Sequence, residues 1–391
     1  NMDFPYWIED PDFDVEFHVR HIALPQPGDW RQFYIQVARL HSRALDMQRP
    51  LWEVYVIEGL NNLEGIPSGS FAILQKLHHA AMDGASVRKM FMTMHDLEPR
   101  APAGQRRQET ALLRERPPST VPLMLKSYQR YVGRPRKFSR AVLKAIRSTR
   151  ELGAAEKEGE VAPAVKAPRS RFNGEVSPHR SVTTADFPLE AFKHLRHAVP
   201  GATINDLAIS VFGGALRKYL DAHGDALEES LVVQIPVNIR DDSGQGEDGN
   251  EITPINASSG SAIADPLERL IHVAESTANA KVRLGYMGES STRELADAMG
   301  PHITKAIFTA MENAPRIQAL ATLMPGGPNF ALSNMPGPPV PMYLCGAELT
   351  WGIGLGPMMP NMGLFATFTS GLGRMTYGAV SYTHLTLPTN A

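Results

Sequence analysis

The sequence predicts an α/β protein built as two lobes, and three observations carry that prediction. At 391 residues the chain exceeds one ordinary domain. Strand patterns and helix patterns alternate along it instead of segregating. A basic stretch that ends in low complexity interrupts the alternation and divides the chain.

Taken in order, "EFHVRHIAL" (16–24) reads as a strand, the stretch from Phe33 to Ser42 as a helix, and "WEVYVIEGL" (52–60) as a second strand. Phe71, Ile73, Leu74 and Leu77 form a short apolar run behind the turn signals Pro67, Ser68 and Gly69, the mark of a buried strand. Val87, Met90, Phe91, Met94 and Leu97 recur at three- and four-residue spacing, the mark of an amphipathic helix. Between them lies "HHAAMDG". His78 and His79 therefore sit where a strand ends, and Asp83 and Gly84 where a helix opens, a place at which a rigid scaffold presents reactive groups.

The composition shifts next. From 105 to 157 there are fourteen Lys and Arg against four Glu, in a chain whose formal net charge is −2. Phe138, Val142 and Ile146 fall on one side of a helical pattern and Lys137, Arg140, Lys144 and Arg147 on another. Two readings stay open: a solvated linker helix, or a basic amphipathic helix lying on an anionic membrane surface. The run "ELGAAEKEGEVAPAVKAP" (151–168) reads as linker.

A second α/β series begins near Ser181. "TTADFPLEAFKHLRHAV" gives a strand and a helix. "TINDLAISVFGGALRKYLDAHG" gives a helix with Thr203 as N-cap and Gly224 as its stop. "LVVQIPVNIR" is a strand, "RLIHVAESTANAKV" a helix, and "NFALSNMPGPPVPMYLCGAEL" a strand, a Pro/Gly corner and another strand. The expected divisions are 1–104, a first lobe carrying the histidine loop; 105–180, a basic connection; 181–381, a second lobe; and 382–391, a tail without periodicity, unlike native sequence.

Composition narrows the function. The chain is 43% hydrophobic and 20% charged, ordinary for a globular protein. The near-neutral charge gives no reason to expect a nucleic-acid partner, and no apolar run is long enough to span a bilayer. Cys345 is the single cysteine, which leaves no internal disulfide and points to a reducing cytosol. Because it follows the apolar "MYL", Cys345 is expected to pack rather than react. No Gly-x-Ser-x-Gly elbow is present. A metal is not expected, since His79 and Asp83 find no third ligand at matching spacing.

Several segments together resemble one family. "RPLWEVYVIEGL" with Trp52, "HHAAMDG", "TINDLA" with Asn205 and Asp206, "PVNIRDD" with Arg240, "GNEITPINASSG" and "LSNMPGP" with Asn334 occur in the order found in the bacterial wax ester synthase/diacylglycerol acyltransferases. The resemblance implies two chloramphenicol-acetyltransferase-like lobes, each a mixed sheet flanked by helices, with a tunnel between them. It also implies transfer of a long acyl chain from acyl-CoA, a co-substrate rather than a bound cofactor, to a fatty alcohol or diacylglycerol. The chain would then work in the cytoplasm, peripherally on the inner face of the membrane or on a lipid droplet. The histidine motif alone is shared with peptide-synthetase condensation domains, so an amide-forming condensation enzyme is the alternative. A non-catalytic lipid-binding protein on the same fold is another.

Within that resemblance, His79 is the expected general base, being the histidine of the His-x-x-x-Asp spacing, and His78 buttresses it or meets substrate. An imidazole can take a proton from an attacking alcohol and return it to a leaving thiolate near neutral pH. Asp83 shapes the loop, either by pairing with Arg240 or as a helix cap, and Gly84 allows the turn. Asn205 is the candidate oxyanion donor, although "TIND" is equally a capping sequence. Trp52, Asp206, Asn334 and Arg240 are placed on the substrate side, with Trp52 read as packing beneath the tunnel and Asn334 in a rigid corner that structure alone equally explains.

Overall fold

The computed structural model describes residues 10–99, 119–287 and 298–382, except 11, 80–83, 175, 239–251, 301, 302, 304, 307, 308, 310–326 and 360. A short helix α1 (Val15–His18) leads into β1 (Val19–Ala23), α2 (Trp30–Ser42), β2 (Trp52–Leu60), β3 (Ser70–Leu77) and α3 (Gly84–Met94). After the long α4 (Thr120–Glu158) come β4 (Arg180–Pro188), α5 (Leu189–Leu195), α6 (Ile204–Ala222), β5 (Val232–Asn238), β6 (Ile252–Ser258) and α7 (Pro266–Met287). The described chain closes with β7 (Phe330–Pro336), the two-residue strands β8 (Tyr343–Leu344) and β9 (Ala347–Glu348), β10 (Leu364–Gly371) and β11 (Arg374–Tyr382).

Two mixed sheets organise these elements. The first has the order β1-β2-β3, with β1 parallel and β3 antiparallel to β2. The second has the order β4-β11-β10-β7-β5-β6, parallel at its β10-β7-β5 centre and antiparallel outside it. This is the expected α/β architecture of two mixed sheets with helices packed on them.

Helix α2 joins the sheets. Asp29 caps it, accepting from the Gln32 amide at 2.8 Å while the Gln32 side chain accepts from Asp29 in return. Its apolar face, Phe33, Val37 and Leu40, packs with Tyr55, Ile57 and Leu60 of β2 and with Val182 and Val380 of the larger sheet. On the other flank Tyr34 and Thr184 share a hydrogen bond of 2.6 Å. The larger core lies between the six-stranded sheet and α6 and α7, with Phe330, Leu332 and Phe368 facing Ile209, Leu220 and Val273. Gly213 permits the close approach of α6 to the chain after β6, because a Cβ there would stand 2.0 Å from the Ser259 carbonyl oxygen.

Four sequence expectations are corrected. The first strand starts late, since 15–18 form a helical turn before β1. The expected linker 151–168 is helical through Glu158, because Leu152 and Ala155 bury against Val161 and Tyr286 and Glu156 pairs with Arg283. Cys345 does not pack: it is exposed, at a positive φ of 51° in the turn between β8 and β9. Tyr382, placed at the head of the expected tail, is the last residue of β11 and pairs with Arg180. Residues 383–391 lie outside the described residues. Among the described residues, no helix is long and apolar enough to cross a membrane.

Candidate active site

The histidine loop hangs from the end of β3. The His78 backbone N–H donates to the Leu51 carbonyl at 3.0 Å, which extends the β2–β3 pairing one step past the strand and fixes where the loop departs. His78 is half-buried, His79 is exposed, and both line one large cavity of about 2570 Å³. Gly84 is the first residue of α3. Asp83 and Arg240 lie outside the described residues, so their expected pairing has no geometry here.

Asn205 reaches the same cavity from α6. The Asp206 N–H donates to Thr203 Oγ1 at 3.1 Å, and the Thr203 N–H donates back to Asp206 Oδ2 at 2.8 Å. The other carboxylate oxygen accepts from Thr277 Oγ1 of α7 at 2.6 Å. Asp206 is therefore a buried structural acceptor and not a lining residue, because its lone pairs are already taken. Its effect is to lock the first turn of α6, which carries Asn205. Asn334, on β7 opposite Phe368 of β10, lines the cavity.

Trp52 does not line it. The indole stacks on the fully buried His18 ring at 4.5 Å, and His18 Nδ1–H donates to the Trp52 carbonyl at 2.7 Å. Trp52 thus packs beneath the β2 end that receives the histidine loop, which is a structural placement and not a substrate contact.

Other lining residues carry no local sequence signal. His41, at the end of α2, donates from Nε2 to the Gly356 carbonyl at 3.1 Å. That bond leaves Nδ1 as the acceptor of the neutral ring, buried and without a partner among the described residues. Burial pushes the His41 pKa down; the Gly356 carbonyl opposes this, and the charges of Arg180 and Lys76 add to it. Burial likewise lowers Arg180. Lys76 is lowered mainly by burial, against the pull of Glu53 at 3.6 Å. Among the described lining residues, Arg43, Lys76, Lys89, Arg180, Lys281 and Arg374 face a single carboxylate, Glu348.

A deep cavity between two mixed sheets, with paired histidines on one wall and a capped-helix asparagine on another, is an arrangement suited to group transfer between two substrates. Comparison with known proteins identifies the class. Residues 1–208 match the wax ester synthase/diacylglycerol acyltransferase catalytic domain, and residues 248–386 match the WS/DGAT C-terminal domain. The chain belongs to that acyltransferase family. A Mycobacterium tuberculosis protein that bears the name diacylglycerol O-acyltransferase is 31% identical over 402 residues, covering 96% of this chain and 78% of its own. The O-acyltransferase WSD of Acinetobacter baylyi is 30% identical, over 96% of this chain and 78% of its own. The solved wax ester synthase/diacylglycerol acyltransferase of Marinobacter aquaeolei VT8 superposes with a TM-score of 0.62 at 26% identity, covering 98% of this chain and 78% of that one.

Proposed function

We propose that the chain transfers a long acyl group from acyl-CoA to the hydroxyl of a fatty alcohol or diacylglycerol, in a ternary complex with His79 as general base. The alcohol oxygen attacks the thioester carbonyl carbon while His79 takes the hydroxyl proton. The tetrahedral oxyanion forms near Asn205, whose helix N-terminus favours negative charge. Collapse breaks the C–S bond, and His79 returns the proton to the thiolate. No covalent acyl-enzyme is required.

The observation that carries this reading is that one cavity receives His78, His79, Asn205 and Asn334 from three elements far apart in the chain. Its predominantly apolar floor, with Val182, Ile353, Leu355 and Phe365 among the lining, suits acyl chains. Asp83 and Arg240 retain their proposed roles in shaping the loop.

The test is ester formation from labelled palmitoyl-CoA with hexadecanol and dioleoylglycerol offered in parallel. General-base catalysis is worth roughly 10²–10⁴ in rate, so His79→Ala should lose about that much. Full activity in that variant would overturn the mechanism. CoA release with an amine but with neither alcohol would favour the condensation reading.

Contact with a membrane surface is supported by α4. Val121, Leu125, Tyr128 and Val132 lie on one helical face and are 75%, 58%, 66% and 58% exposed. Sedimentation with anionic but not neutral vesicles, lost when these four residues become Ser, is the expected result. Equal sedimentation of the wild type and the Ser variant would remove α4 from the argument.

A further inference from the structure

The cavity carries a cationic corner that the proton-transfer chemistry does not use. Arg180 opens β4 and points its charge into a partly buried site where α2, the end of β3 and the larger sheet converge. One of its Nη atoms donates to the Ser177 carbonyl, but Nε is buried with no acceptor, and no ion pair joins Arg180 to a carboxylate among the described residues. A buried guanidinium without an anion is costly, so such groups ordinarily face a partner. The charges of Lys76 and Arg180 both act on His41, and Arg43 stands beside Lys76 and lines the same cavity. The Lys76 ammonium donates to the Arg43 carbonyl at 2.7 Å and shares Glu53 with Arg20. Glu53 is thus one carboxylate serving two cations, and among the described residues the corner keeps an excess of positive charge. His41, uncharged beside Arg180, adds a lone pair rather than a charge and leaves the cationic role to its neighbours.

We propose that Arg180, with Lys76 and Arg43, forms the subsite that holds a phosphate of the acyl donor. This rests on the acyl-transfer reading and adds to it which residues grip the donor's anionic part. A guanidinium offers a planar fork suited to phosphate oxygens, and the flanking ammonium supplies a point charge. The corner abuts the histidine loop through Lys76, two residues before His78 in the chain. A donor anchored there by phosphate would run its pantetheine arm through the same cavity that His79 lines.

The experiment compares two donors in the full chain: dodecanoyl-CoA, and the dodecanoyl thioester of N-acetylcysteamine, which has no phosphate. Arg180→Met and Lys76→Met should each raise KM for the CoA thioester roughly tenfold to a hundredfold, the worth of a charged hydrogen bond. KM for the phosphate-free thioester should stay within about twofold of wild type, and Arg180→Lys should recover part of the loss. Equal losses with both donors would make Arg180 a structural residue and overturn the subsite, as would unchanged KM with both. Arg43→Met, on an exposed loop, supplies a variant that folding does not confound and should show the same donor selectivity more weakly. Titration of CoA alone and of inorganic phosphate separates the sources. Binding of CoA that weakens in Arg180→Met supports the subsite even if wild type esterifies neither alcohol, which would defeat the transfer reading instead. CoA binding that is identical in wild type and variant overturns the subsite whatever the turnover.

Discussion

The two sheets meet the cavity in different ways. The six-stranded sheet presents a central strand, β7, whose first three residues, Phe330, Ala331 and Leu332, are buried. The three-stranded sheet presents β3, an edge strand in which no residue is fully buried. Yet the histidines hang from the edge strand, whereas the large sheet and its helices supply Asn205 and Asn334. The small sheet is held through α2 and β2, and its strand β3 is less buried than β7, so local opening of β3 costs less. A stable wall and a more yielding one would suit the proposed admission of two long substrates.

The sharpest way to break this comparison is to remove an equal volume from each wall. Phe368 of β10 is fully buried, and Phe368→Ala should cost about 3–5 kcal/mol, read as a shift in the urea midpoint. Phe71 of β3 is 41% exposed, and Phe71→Ala should cost about 0.5 kcal/mol or less. Equal costs would mean that both walls are packed alike.

A smaller effect concerns how the larger wall places Asn205. Thr277 is 1% exposed and donates to the buried Asp206 carboxylate. Thr277→Val keeps the shape and removes the donor, so about 1–3 kcal/mol of stability should be lost. Turnover should fall with little change in donor KM, since the capped turn that carries Asn205 loosens. A stability loss with turnover intact would separate Asn205 from the chemistry.

Next in size is the helix between the walls. Asp29→Ala removes the α2 cap and should cost about 1 kcal/mol in thermal or urea unfolding. Faster amide exchange in β3 than in β7 should accompany it, because α2 carries the smaller sheet.

Legibility in the sequence follows the same division. The histidine loop could be read because its residues are contiguous and lie between a strand pattern and a helix pattern. Asn205 is reached only through the family resemblance, because Thr203 and Asp206 by themselves mark no more than a helix cap. His41, Arg180 and Thr277 could not be read: each gains its meaning from a partner on another element, Gly356, the α2–β3 corner and Asp206 respectively. The misplaced linker shows the converse. Residues 151–158 have linker composition, yet tertiary burial of Leu152 and Ala155 holds them helical. Trp52 was legible as a residue packing beneath the tunnel, but its partner, the His18 ring, was not, because the helical turn of α1 reads as strand in the sequence.

The subtlest test lies at the junction of the two walls and appears only in acid. His41 is buried between α2 and the loop that carries Gly356, and its folded pKa lies below the ordinary 6.5, mainly because burial disfavours the charged ring. Above 6.5 the ring is neutral in both folded and unfolded chains and costs nothing. As pH falls from 6.5 toward the depressed folded value, the unfolded chain takes up a proton that the folded chain refuses, so stability falls with it. Below the folded value both states are protonated and the loss levels off. His41→Gln removes this titration, and the Gln amide can still donate to the Gly356 carbonyl. Urea unfolding of wild type and variant from neutral pH into the acid range should therefore give a stability difference that moves in the variant's favour as pH falls below 6.5. A difference that stays constant with pH would place the His41 ring in water and loosen the junction on which the contrast between the two walls depends.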